Sequence, residues 1–287
     1  MKTLVTGATG FLGRAVARRL RRDGDVIELG LSGARSRQLV CDLRDAQAWA
    51  DLLKRERPDR VVNCAAYRDP DFCETNPGEA RRLNVDPVRV LAETLPPEAL
   101  LMQISSDYVF DGETPPYSEA DSRRPLNVYG ATKVEAEDWT LRRSGSLVLR
   151  MPLLVGRGAS IADSGYLSGL LSELKNPTPR GVDDLSIRFP TWIEDVAEAI
   201  AFLFDQKASG LFHFSGEEGL TRWGCLHTVA RVTGLSADHL RPLHQDSPKV
   251  ARRPRNSQLS VARIRSLGFV RRTPFEDGVR STLAPGH

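Results

Sequence analysis

Thr6-Gly7-Ala8-Thr9-Gly10-Phe11-Leu12-Gly13 decides how this chain is read. Three glycines stand three residues apart. Ahead of them lies the short apolar run Leu4-Val5-Thr6, which fits a buried strand. Behind them Phe11 to Arg22 places Phe11, Leu12, Ala15, Val16, Ala17 and Leu20 on one helical face, with basic residues opposite. Glycine lets a backbone approach a pyrophosphate closely, and the helix that follows turns its positive end toward the anion. A tight structural turn alone would also use these glycines. The position between a strand and a helix favours a dinucleotide site, with Gly7, Thr9, Gly10, Phe11, Leu12 and Gly13 against the cofactor.

The alternation continues outward. Strands are expected over Asp25 to Leu31, Gln38 to Cys41, Arg60 to Ala66, Leu100 to Ser105 and Leu147 to Met151. Helices are expected over Asp45 to Glu56, within Pro77 to Leu95, and over Leu126 to Arg143. Strand–helix alternation of this kind predicts an α/β fold, a Rossmann-like doubly wound parallel sheet over residues 1–151. Prolines at 177, 179, 190, 242, 248, 254 and 274 then break the rhythm. Residues 152–287 are read mainly as a small substrate-binding lobe, from which later segments can return to the sheet domain. The lobe holds helices over Glu194 to Phe204 and Thr221 to Thr233, with the strand Leu211 to Phe214 between them.

Tyr129-Gly130-Ala131-Thr132-Lys133 supplies the chemistry. Four residues are about one helical turn, so both side chains share a face. An ammonium beside a phenol favours the phenolate, and the tyrosine becomes a proton donor and acceptor. Ser106 closes the fifth strand, at the edge that faces ligands in open α/β sheets, and can hydrogen-bond a reacting oxygen. Ser106, Tyr129 and Lys133 are therefore the candidate catalytic residues. Together with the glycine turn they predict hydride chemistry on a carbonyl or alcohol.

Cofactor choice is read at the end of the second strand. NAD sites tend to place a carboxylate there. Here Gly30 holds that place, and Ser32 and Arg35 follow, which suits a 2′-phosphate. NADP(H) is expected to be preferred, with NAD(H) as the alternative. Asp42, next to Leu43, either meets the adenine or caps the following helix. Cys64, Ala65, Ala66 and Tyr67 end the fourth strand, and their small residues let a cofactor lie close. Ser105 and Pro152, at two further strand ends, complete the cofactor set. Asp107, Tyr108, Val109 and Phe110, with Ser106, form the candidate substrate set. Arg253, one of three arginines around Pro254, is a further candidate, because a guanidinium suits phosphate; composition alone reads the same segment as a solvated basic loop.

Composition narrows the class. The 287 residues include 40% hydrophobic and 27% charged residues, and the net charge is +3, too small to argue for nucleic acid or membrane. No apolar run approaches the ~20 residues of a membrane span. The four cysteines have no metal-ligand spacing and read as reduced thiols of a cytoplasmic protein, and no metal site is expected. The strand Lys2 to Thr6 at the start of the chain predicts no signal peptide.

These residues resemble the extended short-chain dehydrogenase/reductases. Ser105-Ser106-Asp107-Tyr108-Val109-Phe110-Asp111-Gly112, Pro116-Tyr117-Ser118-Glu119, Pro125-Leu126-Asn127-Val128-Tyr129-Gly130 and Arg253-Pro254-Arg255-Asn256-Ser257-Gln258-Leu259 resemble the dTDP-4-dehydrorhamnose reductase branch. The resemblance of Arg253-Pro254 and Asn256-Ser257 is what brings Arg253 into the substrate set. That branch also holds the methionine adenosyltransferase beta regulatory subunit. Asn63-Cys64-Ala65-Ala66, Leu83-Asn84-Val85-Asp86, Phe189-Pro190-Thr191 and Arg271-Arg272-Thr273-Pro274-Phe275 look closer to the regulatory subunit. The resemblance implies NADPH-dependent reduction of a keto group on a nucleotide sugar, with a homodimer as one assembly. Its alternative is a cofactor-binding regulator with a methionine adenosyltransferase partner. Ala15 stands where such reductases often carry a glutamate for a metal at a dimer contact, so the resemblance brings no metal here.

Overall fold

A computed structural model describes residues 1–31, 38–245 and 250–284. The chain begins with β1 (Lys2–Thr6), α1 (Phe11–Leu20), β2 (Asp25–Gly30), β3 (Gln38–Val40), α2 (Ala46–Glu56) and β4 (Arg60–Asn63). Three short helices follow, α3 (Pro70–Thr75), α4 (Pro77–Asn84) and α5 (Asp86–Thr94), then β5 (Leu100–Ser106) and a 3₁₀ turn at Asp107–Val109. Next come α6 (Val128–Leu141), β6 (Leu147–Met151), β7 (Leu154–Val155), α7 (Tyr166–Lys175), β8 (Arg180–Asp183), β9 (Thr191–Trp192) and α8 (Ile193–Asp205). The chain continues through β10 (Gly210–His213), α9 (Arg222–Thr233), β11 (Leu240–Leu243), α10 (Ala262–Ser266) and α11 (Phe275–Leu283).

Seven parallel strands form the central sheet in the order β10-β6-β5-β4-β1-β2-β3. The direction of winding reverses at β1 and β4, so the carboxyl ends of these strands open a crevice. On one face α1 and α8 pack through Leu12, Val16, Leu20, Val196, Ile200 and Leu203. On the other, α2 and α5 pack through Trp49, Leu53, Val90 and Leu91. Strands covered on both sides read as continuous apolar runs, which is why Leu4-Val5 and Val61-Val62 are fully buried.

Segments after residue 151 return to the main sheet, as the domain reading allowed. Leu211–Phe214 was expected inside the lobe, whereas β10 pairs with β6 as the outer strand of the main sheet. Helix α8 covers that sheet beside α1. The apolar faces of both elements match the sheet rather than the lobe. The lobe itself is smaller: β8 pairs with β11, and α7, α9 and α11 pack around them through Leu170, Leu174, Val229, Phe275 and Val279.

Helix α6 is unusual in what it buries. Asn127 caps its start, its Oδ1 accepting from the Gly130 amide at 2.9 Å. Its inner face carries Lys133, Glu137 and Thr140 instead of a leucine stripe. Glu137 is fully buried and takes two bonds from Arg150 of β6, at 2.8 and 2.7 Å, and one from Ser105 of β5 at 2.5 Å. A satisfied buried ion pair of this kind fixes register more than it adds stability. Here it sets the rotation of α6 against β5 and β6.

Candidate active site

Gly7 turns with φ of +61°, and a Cβ on it would lie 3.0 Å from the Ala65 backbone. A Cβ on Gly13 would lie 2.2 Å from the Gly7 carbonyl oxygen. Helix and turn can approach only without these side chains. No side chain caps α1 and no acidic residue sits in its first turn. The cradle the absent Cβ atoms leave, with its unshielded helix end, fits a pyrophosphate.

From this turn a cleft of about 730 Å³ runs across the carboxyl ends of the strands to the lobe. Every cofactor residue expected from the sequence lines it except Ser32 and Arg35, which lie outside the described residues. Gly30 lines it too, with no acid at the end of β2. The two readings of Asp42 separate. Asp45 caps α2 by accepting from the Ala48 amide at 3.0 Å, while Asp42 faces the cleft, gripped by Arg44 at 2.9 and 2.7 Å. That grip holds the Asp42 carboxyl below its usual range.

Ser106, Tyr129 and Lys133 meet at the middle of the cleft. The Ser106 hydroxyl lies near enough to the Tyr129 phenol to pull its pKa down. The Tyr108 ring stands edge-on to Tyr129, centroids 5.8 Å apart. The Lys133 ammonium donates to the Ile104 carbonyl at 2.9 Å and lies 6.0 Å from the centre of the Tyr129 ring. Burial pushes the phenol upward, and the Ser106 contact opposes it. Burial also holds Lys133 down to about 8, with the Glu137 carboxylate one turn away pulling the other way. Desolvation therefore outweighs the activation of the phenol by lysine that the sequence suggests, and the lysine sits near its own titration point.

The substrate set divides. Asp107, Tyr108 and Arg253 line the cleft. Val109 and Phe110 do not. Both are fully buried, and Phe110 stacks on Tyr117 with centroids 4.1 Å apart, in a small apolar cluster with Leu259. The 3₁₀ turn after β5 points them inward. Of the arginines at 252, 253 and 255, only Arg253 lines the cleft, clamped on Asp71 at 3.0 and 2.9 Å.

Sequence reasoning missed Arg44, Tyr166, Arg188 and Arg222, which also line the cleft. Arg44 follows Asp42-Leu43 directly and was legible from that position. The other three come from separate lobe segments with no shared spacing. Cys64 faces the cleft, but burial pushes its thiol up to about 12, which makes it a poor nucleophile. Among the described residues no cluster of His, Cys, Asp or Glu could hold a metal, and no helix is long and apolar enough to cross a membrane.

A Rossmann sheet, a glycine turn opening α1, and a serine, tyrosine and lysine converging above it define an extended short-chain dehydrogenase/reductase scaffold. Within that class the chain belongs to the family of the RmlD substrate binding domain, whose model matches residues 1–286. It is 39% identical to methionine adenosyltransferase 2 subunit beta of Bos taurus, over 99% of this chain and 87% of that one. A dTDP-4-dehydrorhamnose reductase from Clostridium acetobutylicum is 26% identical, with 99% of this chain and 98% of that chain covered and a TM-score of 0.86. A reductase of the same name from Bacillus anthracis, solved with NADP, shares the fold at a TM-score of 0.87 and 23% identity, covering 98% of each chain.

Proposed function

We propose that this protein is an NADPH-dependent reductase of a keto group on a nucleotide sugar or a related polar substrate. The carrying observation is the meeting of Ser106, Tyr129 and Lys133 in one cleft with the pyrophosphate cradle. The cofactor, when bound, supplies a hydride to the carbonyl carbon. The phenol of Tyr129 gives its proton to the oxygen that gains charge. Lys133 holds the nicotinamide ribose and favours the phenolate left behind. Ser106 orients the reacting oxygen. Arg253, Arg188 and Arg222 line the lobe side of the cleft, where their cationic groups suit the phosphates of a nucleotide sugar. Gly30 and Arg44 support NADP(H) over NAD(H), because a 2′-phosphate meets no carboxylate at the end of β2 and a guanidinium stands nearby.

The 39% identity to a regulatory subunit over 99% of the chain supports a second reading. In it the protein binds the cofactor, turns over little, and assembles with a methionine adenosyltransferase. One experiment separates the two. Oxidation of NADPH is followed with dTDP-4-dehydrorhamnose and a panel of keto nucleotide sugars. In parallel, a methionine adenosyltransferase is tested for co-purification with the protein. Turnover abolished by Tyr129→Phe supports the reductase. Co-purification with no turnover supports the regulator.

A further inference from the structure

Residues 251–260 are bonded to the site's elements along their length. The Ala251 amide and the Arg253 guanidinium both reach Asp71, at 2.9 Å each for the shortest contacts. Asn127, the cap of the catalytic helix, donates to the Arg252 carbonyl at 2.6 Å. Arg188 donates to the Pro254 carbonyl at 2.9 Å. Tyr117 and this segment exchange two backbone bonds, from Tyr117 to Gln258 at 2.8 Å and from Ser260 to Tyr117 at 2.7 Å.

At the centre of the segment Ser257, 1% exposed, donates to Oδ2 of Asp107. Asp107, 3% exposed, accepts at its other oxygen from the Ser106 hydroxyl at 3.0 Å. The Ser106 oxygen in turn accepts from the Tyr108 amide at 3.2 Å. A serine hydroxyl has one hydrogen and two lone pairs. With no substrate bound, Asp107 takes the hydrogen and Tyr108 one lone pair; to serve a reacting oxygen, which only accepts, the hydrogen turns from Asp107 to that oxygen. The Ser106 oxygen is therefore held in place from behind by a carboxylate that Ser257 itself holds.

We infer that Asp107 and Ser257 are positioning residues for the proposed reduction: Ser257 fixes the Asp107 carboxylate, and Asp107 fixes the Ser106 oxygen in the cleft that Tyr129 also lines. This rests on the reductase reading. It goes beyond it by assigning to the far C-terminal segment a part in orienting the catalytic serine. Geometry matters at this level because a reacting group displaced by ~1 Å can lose ~100-fold in rate.

The test uses the full chain, NADPH and dTDP-4-dehydrorhamnose. Ser257→Ala is expected to lower kcat ~10-fold while NADPH affinity, read by fluorescence titration, stays within about twofold, and Ser257→Thr restores kcat. Asp107→Ala is expected to lower kcat ~100-fold. Amide hydrogen exchange provides a readout that needs no turnover: Ser257→Ala should speed exchange of the Tyr108 amide and its neighbours over 105–110. An unchanged kcat in Ser257→Ala overturns the inference. So does a loss of kcat that Ser257→Thr fails to restore, or faster exchange confined to 251–260. If the parent turns over none of the sugars, the reductase reading fails, and exchange at 105–110 alone then decides whether Ser257 holds the serine.

Discussion

Each catalytic side chain carries a burden set by burial. In the proposed reduction Tyr129 is the proton donor, in a site that raises its phenol, so its removal should cost chemistry and little else. Tyr129→Phe is expected to lower turnover ~100- to 10,000-fold, the range of a positioned acid, with NADPH affinity and melting midpoint unchanged. Steady-state rates beside cofactor titration check it. Lys133 supplies a pH signature. Its ammonium, held down to about 8, is the form that would meet the ribose in the proposed reductase. The charged form is complete below that value and lost as pH rises through it. The groups facing it are Tyr129, Cys64, Cys73 and Glu137. Burial pushes Tyr129 and both thiols upward, away from this window. NADPH affinity should therefore weaken above pH ~8 with a slope approaching ~10-fold per pH unit, one proton's worth of linkage. Lys133→Met should bind weakly and flatly across the same range. A parent profile that is flat to pH ~10 would remove this role for Lys133.

Helix α6 is the element that brings donor and lysine to the serine, and it does so at close quarters. A Cβ on Gly130 would sit 2.2 Å from the Tyr108 carbonyl oxygen. That oxygen is backbone, so relief requires the helix start to move. Gly130→Ala should therefore displace Tyr129 from Ser106 and lower kcat by ~100-fold, while a cofactor bound mainly by α1 and the strand ends keeps its affinity within a few-fold. Equal losses in both would place the damage in the fold. The helix itself was legible because Tyr129 and Lys133 share a face, and its observed span, Val128–Leu141, lies inside the expected Leu126 to Arg143. What it buries was not. Glu137 looks like a surface residue until β5 and β6 bring Ser105 and Arg150 to it. Val109 and Phe110 went the other way. Adjacent to Tyr108 in the motif, they read as site residues, yet the 3₁₀ turn sends them to the core. Strand and helix periodicity predicts elements well; the direction of a side chain in a three-residue turn depends on what packs against it.

At the scale of the molecule, the sheet was readable because each strand–helix pair carries its own apolar pattern. That later segments return to the sheet was allowed for, but which strand does so was not legible, since a four-residue strand reports its own pairing only through its neighbours. The lobe side of the cleft was equally hidden. Arg188 and Arg222 come from separate segments, and only the fold makes them neighbours of Asp107 and Tyr166. Cofactor choice belongs here as well, because the end of β2 and the segment after β3 build it jointly. NADPH should bind more tightly than NADH. Gly30→Asp should reverse that order, and Arg44→Ala should weaken NADPH by ~10-fold with little effect on NADH, the scale of one charge-assisted pair. Titration with both cofactors decides it, and equal affinities in the parent would overturn the assignment.

The most direct test of the central claim is the rate of NADPH oxidation by the purified protein with dTDP-4-dehydrorhamnose and other keto nucleotide sugars, measured beside Tyr129→Phe. A reductase consumes NADPH with at least one of these sugars, and Tyr129→Phe lowers that rate by at least ~100-fold. Tight NADPH binding with no consumption on any of them, or turnover that Tyr129→Phe leaves intact, would contradict it.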